Sequence, residues 1–187
     1  MLSKRSILGL SAAMVLAACA PPNHTADVGG PFNLVDQNGR AVDDSILKGK
    51  WTAVYFGFTY CPDVCPTTLM TLAEAMDRMG AKAKDFQVAL ISVDPERDTP
   101  ALLKTYLSNP SFPKGTIGLT GSPAQVAAAA KAYKAYYKKV GAGQDYTVDH
   151  IAMVYLMDRK GRFSRIIANG TPPDEIARIV TEAMRGA

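Results

Sequence analysis

Residues 51–76 read WTAVYFGFTYCPDVCPTTLMTLAEAM and contain both cysteines of the predicted folded domain. The apolar run Trp51–Phe58 predicts a buried strand, and Thr67–Met76 predicts a helix. Cys61 and Cys65 therefore lie where a strand passes into a helix. We expect this junction to be the centre of the domain.

The spacing of the two cysteines matches one turn of a helix. If the helix begins near Cys61, positions i and i+4 place both sulfurs on one face. The unpaired N–H groups at a helix N-terminus favour the thiolate form, and Pro66 fits the first turn because its missing N–H has no partner to lose. Such a pair can form a reversible disulfide or hold a soft metal ion, and the spacing leaves both open.

Strands and helices alternate along the remaining chain. Asn38-Gly39 between two apolar runs predicts an N-terminal β-hairpin. Thr99-Pro100, Ser122-Pro123 and Pro172-Pro173 each predict a helix start, and the second of these helices is expected to run to about Tyr136. The sequence thus predicts an α/β domain with a sheet of mixed direction and helices on both faces. The further predicted strands are Phe86–Val93, Thr116–Thr120, Ile151–Met157 and Phe163–Ile167.

The first 30 residues predict export and anchoring. A basic start and the short apolar stretch Ile7–Leu16 indicate a signal peptide over residues 1–18, too short to span a bilayer. The sequence Leu16-Ala17-Ala18-Cys19 resembles a bacterial lipobox, which implies cleavage before Cys19 and lipid attached to it. An ordinary signal peptide with an incidental Cys19 is the alternative. Residues 19–30 then form a polar tether, and 31–187 form the domain.

Charge and cysteine content limit the function. The formal net charge of +4 falls to +2 if Lys4 and Arg5 leave with the signal, because 19 basic residues then face 17 acidic ones. That charge does not support nucleic acid as a partner. In an oxidising compartment, two thiols one turn apart would become a disulfide unless a reductant or a metal intervened. His24 lies in the tether, where a solvated residue is the simpler interpretation and weak metal capture the other.

His150 is the candidate third ligand. It is the only histidine of the predicted domain and stands just before a predicted strand, so its loop could face the cysteines. A partly buried histidine bonded to a neighbour is the alternative. Two thiolates and one imidazole are a poor structural zinc set, which normally has four protein ligands, but they suit Cu(I) or Cu(II). Asp149 could accept a hydrogen bond from the imidazole and orient it, or it could serve only in a turn.

Three segments together resemble the Sco/SenC family. They are Phe56–Pro66, Ser92–Pro100 and Val148–His150, in the expected order, and the similarity runs from about Pro31 to the C-terminus. The resemblance implies a thioredoxin-like copper protein that assists assembly of the copper A centre of cytochrome c oxidase. It implies that the copper ligands are Cys61, Cys65 and His150. It also places Asp94 in a loop beside the site, where it influences copper affinity or loop geometry, or only caps a turn.

Two features depart from the family pattern. Ile151 follows the histidine where the family often has Ser or Thr, so a hydroxyl near the site is lost. The lipobox replaces the membrane-spanning anchor of many relatives. We therefore expect a lipoprotein facing the periplasm. Ala20 after the lipidated cysteine permits transfer to an outer membrane, whereas the oxidase lies in the inner one. The inner and the outer membrane therefore both stay candidates for the location of the protein.

Two functions from different classes follow. The first is a copper chaperone whose partners are the copper A-bearing oxidase subunit and another periplasmic copper carrier. The second is a thiol-disulfide oxidoreductase in which Cys61 and Cys65 reduce the target's cysteines before metal loading, with a thiol reductant as partner. The three-residue spacer and the lack of a proline near His150 count against a general oxidoreductase. A peroxidase, by fold analogy, and a purely structural disulfide are further alternatives.

Overall fold

The computed structural model describes residues 28–143 and 145–186. The predictions for the signal peptide, Cys19 and His24 lie outside the described residues. No helix in the described part of the chain combines the length and apolar character needed to cross a membrane.

The described residues form nine strands and four α-helices, with two short 3-10 helices at Asp44–Leu47 and Gly80–Asp85. In chain order the elements are β1 (Asn33–Asp36), β2 (Ala41–Asp43), β3 (Trp51–Gly57), α1 (Val64–Met79), β4 (Phe86–Ser92), α2 (Pro100–Leu107), β5 (Ile117–Thr120), α3 (Pro123–Ala132), β6 (Tyr137–Val140), β7 (Thr147–His150), β8 (Val154–Met157), β9 (Phe163–Ile167) and α4 (Pro173–Arg185).

Seven strands form one mixed sheet in the order β2-β1-β5-β4-β3-β8-β9. Strands β3, β4 and β5 are parallel to one another, and the remaining pairs are antiparallel. All seven residues of β3 are buried, because this strand lies in the interior of the sheet and has helices on both sides. A continuous apolar run is the sequence expected for such a strand, so the prediction of a central strand here is confirmed.

Helices cover both faces of the sheet, as the sequence predicted. On one face, α1 contacts α4, and α2 packs against β5. The packing of α2 is so close that a Cβ added to Gly118 of β5 would come within 2.7 Å of the Leu107 side chain. Residue Phe56 points to the opposite face, where its ring centroid lies 5.4 Å from that of Tyr133 at the end of α3. The site described below lies on the face that carries α1.

The predicted N-terminal hairpin is present as β1 and β2. Asp36 closes its turn by accepting hydrogen bonds from the backbone N–H groups of Asn38 and Arg40, both at 2.9 Å. Gly39 has a φ of +79°, a conformation that favours glycine. Strand β1 then pairs with β5, which attaches the hairpin to the sheet edge.

Two predicted helix boundaries were wrong. Helix α1 begins at Val64 rather than near Cys61, because Cys61 precedes Pro62 and a residue before proline is disfavoured in helical conformation. Helix α3 ends at Ala132 rather than near Tyr136. There Lys134 takes a left-handed conformation, with a φ of +53°, which stops the helix.

The segment around His150 also differs from the prediction. Instead of one strand over Ile151–Met157, the chain forms β7, a short connection, and then β8. Strand β7 pairs with β6 in a separate two-stranded sheet, where His150 lies opposite Tyr137. Strand β6 was not predicted, because its exposed residues Lys138 and Lys139 lack the alternation of a half-buried strand.

Candidate metal centre

The turn between β3 and α1 places the two cysteines in different surroundings. Cys61 lies before the helix, is partly buried, and donates its backbone N–H to the carbonyl of Phe58 at 3.3 Å. Cys65 is the second residue of α1, and its side chain is fully buried in the core. Its backbone N–H donates to the sulfur of Cys61 at 3.4 Å. The first turn of the helix therefore holds the Cys61 sulfur directly.

The structure brings the three predicted ligands together. His150 stands at the end of β7, and its Nε2 lies 3.5 Å from the sulfur of Cys65. The two sulfurs and an imidazole nitrogen all lie within 4.8 Å of one another. Residues from three separate parts of the fold, the β3–α1 turn, α1 and β7, thus converge on one point.

The imidazole is oriented by a backbone carbonyl. His150 Nδ1 lies 3.1 Å from the carbonyl oxygen of Ile151, and since that oxygen can only accept, Nδ1 carries the proton. Nε2 then has its lone pair free for a metal. This contact uses the backbone of Ile151, so it does not depend on the type of side chain after the histidine.

The sequence left two roles open for Asp149, and in the structure the imidazole is oriented by another group. Successive residues of a strand point to opposite sides, so the exposed Asp149 side chain faces away from that of His150. The acceptor that the prediction assigned to Asp149 is the Ile151 carbonyl. Asp149 itself pairs in register with Lys138 of β6.

The two thiols have opposite acidities in the metal-free protein. The pKa of Cys61 is lowered to about 5, chiefly because the Cys65 thiol donates a hydrogen bond to it, with further support from backbone N–H groups. The pKa of Cys65 is raised, because its proton is held in that bond and because its side chain is buried. Near neutral pH, Cys61 is the thiolate and Cys65 the thiol.

The donor set fits copper. Two sulfurs and one imidazole nitrogen supply soft ligands, and the partial burial of Cys61 and His150 leaves the site open on one side. Within the described residues, this is the only group of at least three Cys, His, Asp or Glu side chains close enough to share a metal ion. Binding would displace the proton shared by the two cysteines, because thiolates are the ligating form.

The buried carboxylate of Asp98 anchors the β3–α1 turn that carries Cys61. This role was not predicted from the sequence. Asp98 is fully buried and accepts hydrogen bonds from the Thr59 backbone N–H at 3.1 Å, the Thr59 hydroxyl at 2.5 Å and the Ser92 hydroxyl at 2.6 Å. Thr59 is two residues from Cys61. Burial raises the pKa of Asp98 although these donors act to lower it. The β4–α2 loop thus fixes the start of the cysteine turn.

A second set of contacts, formed by Asp94 and Arg97 with Tyr146, connects the same β4–α2 loop to the strand that carries His150. We call this set the Asp94–Arg97–Tyr146 brace. Asp94 is buried, accepts the Tyr146 hydroxyl at 2.5 Å, and forms an ion pair with Arg97. Arg97 donates in turn to the carbonyl of Tyr146 at 3.0 Å. Tyr146 immediately precedes β7, so this contact fixes the entry to the strand. Asp94 has a role in loop geometry here, one of the two that the resemblance implied.

Arg97 of the Asp94–Arg97–Tyr146 brace also contacts the ring of Tyr60, which is exposed at the surface. The Arg97 guanidinium lies 3.7 Å from the ring centroid of Tyr146 and 4.7 Å from that of the exposed Tyr60. The Lys139 ammonium lies 3.8 Å from the centroid of the same Tyr146 ring and forms an ion pair with Glu96 at 2.6 Å. One guanidinium therefore joins the residue next to Cys61 to the segment before β7.

The sequence held a signal for these missed residues. Arg97 and Asp98 lie in the segment Ser92–Pro100, which carried the family resemblance, yet only Asp94 was singled out there. An acidic residue directly after an arginine usually reads as a solvated pair. Only the structure shows that Asp98 turns inward and accepts the hydroxyls of Thr59 and Ser92, so its role depends on tertiary contacts.

Comparison with known proteins places this geometry in a family context. The sequence profile described as SCO1/SenC matches residues 20–185. The protein SCO1 homolog 1, mitochondrial, of Arabidopsis thaliana is 37% identical over 184 residues, which is 97% of this chain and 54% of the relative. The chain thus spans about half the length of that relative.

Solved structures show the same fold. The structure of Bradyrhizobium japonicum ScoI with copper bound is 49% identical, has a TM-score of 0.75, and the match covers 83% of this chain and 98% of that one. A second structure, of BsSco, is 27% identical with a TM-score of 0.67 over 86% of this chain and 96% of that one. BsSco is described as having a disulfide switch and as a member of the Sco family of cytochrome c oxidase assembly proteins.

Proposed function

The chain belongs to the SCO1/SenC family, and on that basis we propose that it is a copper-binding chaperone that helps to assemble the copper A site of cytochrome c oxidase. The single observation that carries the proposal is the convergence of Cys61, Cys65 and His150 within 4.8 Å. Support comes from a copper-bound relative at 49% identity and from the assembly role described for BsSco.

The three ligands have unequal access, which suits metal transfer. Cys65 is fully buried and His150 is held by the Ile151 carbonyl, so both stay fixed when copper leaves. Cys61 is the partly exposed ligand in a turn, and a thiolate of the receiving protein can approach the copper from its side. Copper is the cargo here. The protein's own groups orient it, shield it from water on the buried side, and release it by stepwise ligand exchange.

Oxidation would prevent loading. A Cys61–Cys65 disulfide has no thiolate to offer, so copper uptake requires the reduced pair. The described cysteines are both free thiols in this structure. We expect the oxidised protein to bind no copper, and equal uptake by both forms in a titration would refute this.

The test of the proposal is a copper titration of the reduced protein, followed by visible absorption. We expect stoichiometric uptake with a sulfur-to-Cu(II) charge-transfer band, and a weakened or altered band in His150→Ala. Asp149→Ala is the matched control, because its side chain is adjacent in sequence but points away from the site. No copper uptake by the wild-type protein would end the proposal.

A second candidate function is a thiol-disulfide reductase acting on the target cysteines. The observation that favours it is the asymmetry of the pair, with an accessible Cys61 of low pKa and a buried Cys65. The Cys61 thiolate would attack the target disulfide and release one target thiolate. The Cys65 sulfur, on losing its proton, would then attack Cys61 and release the second. The target gains two electrons, the pair becomes a disulfide, and a thiol reductant must restore it.

The two functions differ in their need for His150. Reduction of a target disulfide that survives His150→Ala but not Cys65→Ser would favour the reductase. The receiving partner we propose is the oxidase subunit that bears copper A, and the supplying partner is another periplasmic copper carrier. Neither role calls for nucleic acid.

We further propose that the protein is exported and held at the membrane by lipid on Cys19, facing the periplasm. The basis is the lipobox-like sequence before Cys19. Metabolic labelling with a radioactive fatty acid should mark the wild-type protein and not Cys19→Ser. Separation of inner and outer membranes would then decide which one holds it. Export without lipid labelling would leave an ordinary signal peptide.

A further inference from the structure

Tyr55 lies directly beneath the candidate copper site. It stands in the middle of β3 and is completely buried. Its hydroxyl donates to the sulfur of Cys65, with an O···S distance of 3.7 Å. Its ring also meets the imidazole of His150 edge to face, at a centroid distance of 6.1 Å and an angle of 75°. One side chain therefore contacts two of the three ligands.

The fold makes room for this contact at Gly57. A Cβ there would come within 2.9 Å of both the Cys65 sulfur and a ring carbon of Tyr55. Residues 55 and 57 of a strand point to the same side, so the absence of a side chain at 57 lets the tyrosine and the cysteine approach each other. The close packing keeps the phenol directed at the sulfur.

A buried phenol needs a hydrogen-bond partner, and here that partner is a metal-binding sulfur. Hydrogen bonds to a coordinating sulfur withdraw electron density from it and tune the metal. Such a bond is stronger when the sulfur is fully anionic, as in the Cu(I) complex. It therefore favours Cu(I), whereas Cu(II) relies more on electron donation from sulfur.

We propose that Tyr55 is a positioning residue that donates a hydrogen bond to the Cys65 thiolate in the copper-loaded protein and biases the site toward Cu(I). This inference rests on the proposed copper-binding function. It assigns to Tyr55 a task in copper selectivity that is separate from holding the sheet together.

The test replaces Tyr55 with phenylalanine, which keeps the ring and removes only the hydroxyl. We expect the sulfur-to-Cu(II) charge-transfer band to move to lower energy in Tyr55→Phe. We also expect the ratio of Cu(I) to Cu(II) affinity, measured by competition with chelators, to fall about tenfold. A change of this size in a binding constant corresponds to the loss of one hydrogen bond to a charged group.

Tyr106→Phe is the matched control. The Tyr106 hydroxyl is also buried, and within the described residues it has no hydrogen-bond partner. Removing it should leave the band and the affinity ratio unchanged. A tyrosine analogue with a more acidic phenol, 3-fluorotyrosine at position 55, should move the band to higher energy, and it decides the question if the phenylalanine variant does not fold.

The possible failures can be told apart. Wild-type protein that takes up no copper overturns the proposed function and this inference with it. Wild-type protein that binds copper, with a Tyr55→Phe band at the same energy and an affinity ratio within about twofold, overturns the role of Tyr55 alone. A shift of the same size in Tyr106→Phe would also overturn it, because the loss of any buried hydroxyl would then suffice.

Discussion

At the scale of single residues, the two cysteines differ more than their spacing indicates. Cys61 is partly exposed, and its sulfur accepts hydrogen bonds from the Cys65 thiol and from the backbone at the start of α1. Cys65 is buried beside Tyr55 and His150. In the functions proposed above, the accessible sulfur would be the nucleophile and the exchangeable ligand, and the buried one would be the fixed ligand.

We predict that iodoacetamide modifies Cys61 selectively in the reduced, metal-free protein. Because the pKa of Cys61 is lowered to about 5, its thiolate is present at pH 7, and the rate of alkylation should fall only as the pH drops through 5. Mass spectrometry of the digested protein locates the label. Preferential labelling of Cys65, or a rate that falls already near pH 8, would contradict the assignment.

We predict that Gly57→Ala damages copper binding as well as stability. The new methyl group would press on the Cys65 sulfur and on Tyr55, and such overpacking costs about 1–3 kcal/mol of unfolding free energy. Gly118→Ala is the control, since its Cβ would come within 2.7 Å of Leu107, on the same sheet face but away from the ligands. Denaturant unfolding should show a loss in both variants, and copper titration should show weakened binding only in Gly57→Ala.

At the scale of elements, the β4–α2 loop organises the site from outside it. Asp98 holds the turn before Cys61, and Asp94 with Arg97 holds the segment before β7. One loop thus sets the distance between the strand-to-helix turn and the strand that carries His150. Its acidic residues act through hydrogen bonds to neighbouring segments, not as ligands.

We predict that Asp98→Asn lowers the free energy of unfolding by about 2 kcal/mol at low pH, because an amide group would face the donors of Thr59 and Ser92. The pKa of Asp98 is raised in the folded state, so the wild-type protein loses stability as the pH rises above the ordinary value of 3.8. The difference in the free energy of unfolding between Asp98→Asn and the wild-type protein should therefore become smaller as the pH rises from 4 to 7. Urea unfolding across this range measures it, and a difference that widens with pH would contradict it.

We predict that Arg97→Leu loosens the strand that carries His150. The substitution leaves the buried Asp94 without its cation, which costs about 3 kcal/mol. Amide hydrogen exchange of Thr147–His150 should speed up. Lys139→Gln is the control, because it removes only an exposed ion pair, worth less than about 1 kcal/mol. Equal exchange rates in Arg97→Leu and wild type would show that the brace does not hold β7.

At the scale of the whole molecule, the described residues contain a complete core and all three ligands. The mixed sheet, with α1, α2 and α4 on one face and α3 on the other, buries a single continuous hydrophobic cluster. The segment from Val28 joins this body, since the Gly29 N–H donates to the carbonyl of Ala132 at 2.9 Å. The three candidate copper ligands all lie in this body.

We predict that a chain starting at Val28 folds and binds copper like the longer one. The thermal unfolding midpoint of the shorter chain should lie within about 2 °C of that of the longer one. A change of about 1 kcal/mol in the free energy of unfolding would shift the midpoint of a domain of this size by about that much or more. Copper stoichiometry and the charge-transfer band should be unchanged. A loss of copper binding on truncation would mean that the first 27 residues contribute a ligand.

Most elements of the fold and the three candidate ligands could be predicted from the order of residues along the chain. The local signals are the largely apolar β3, the proline-led starts of α2 and α3, and the Asn-Gly hairpin. They can be recognised in the sequence because backbone preference and burial act over a few residues. The spacing of the cysteines and the three motifs also identified Cys61, Cys65 and His150. Such features were predictable without knowing where the chain turns in space.

The contacts that hold these groups in place could not be predicted in the same way. The separate pairing of β6 with β7, the Ile151 carbonyl at the imidazole, the inward turn of Asp98 and the contact of Tyr55 with Cys65 all join residues through the arrangement of segments. Their hydrogen bonds depend on burial and on side-chain direction. Residue types along the chain carry little record of either. The role of Asp149 therefore stayed open in the sequence, whereas the meeting of His150 with the cysteines was predicted and is observed.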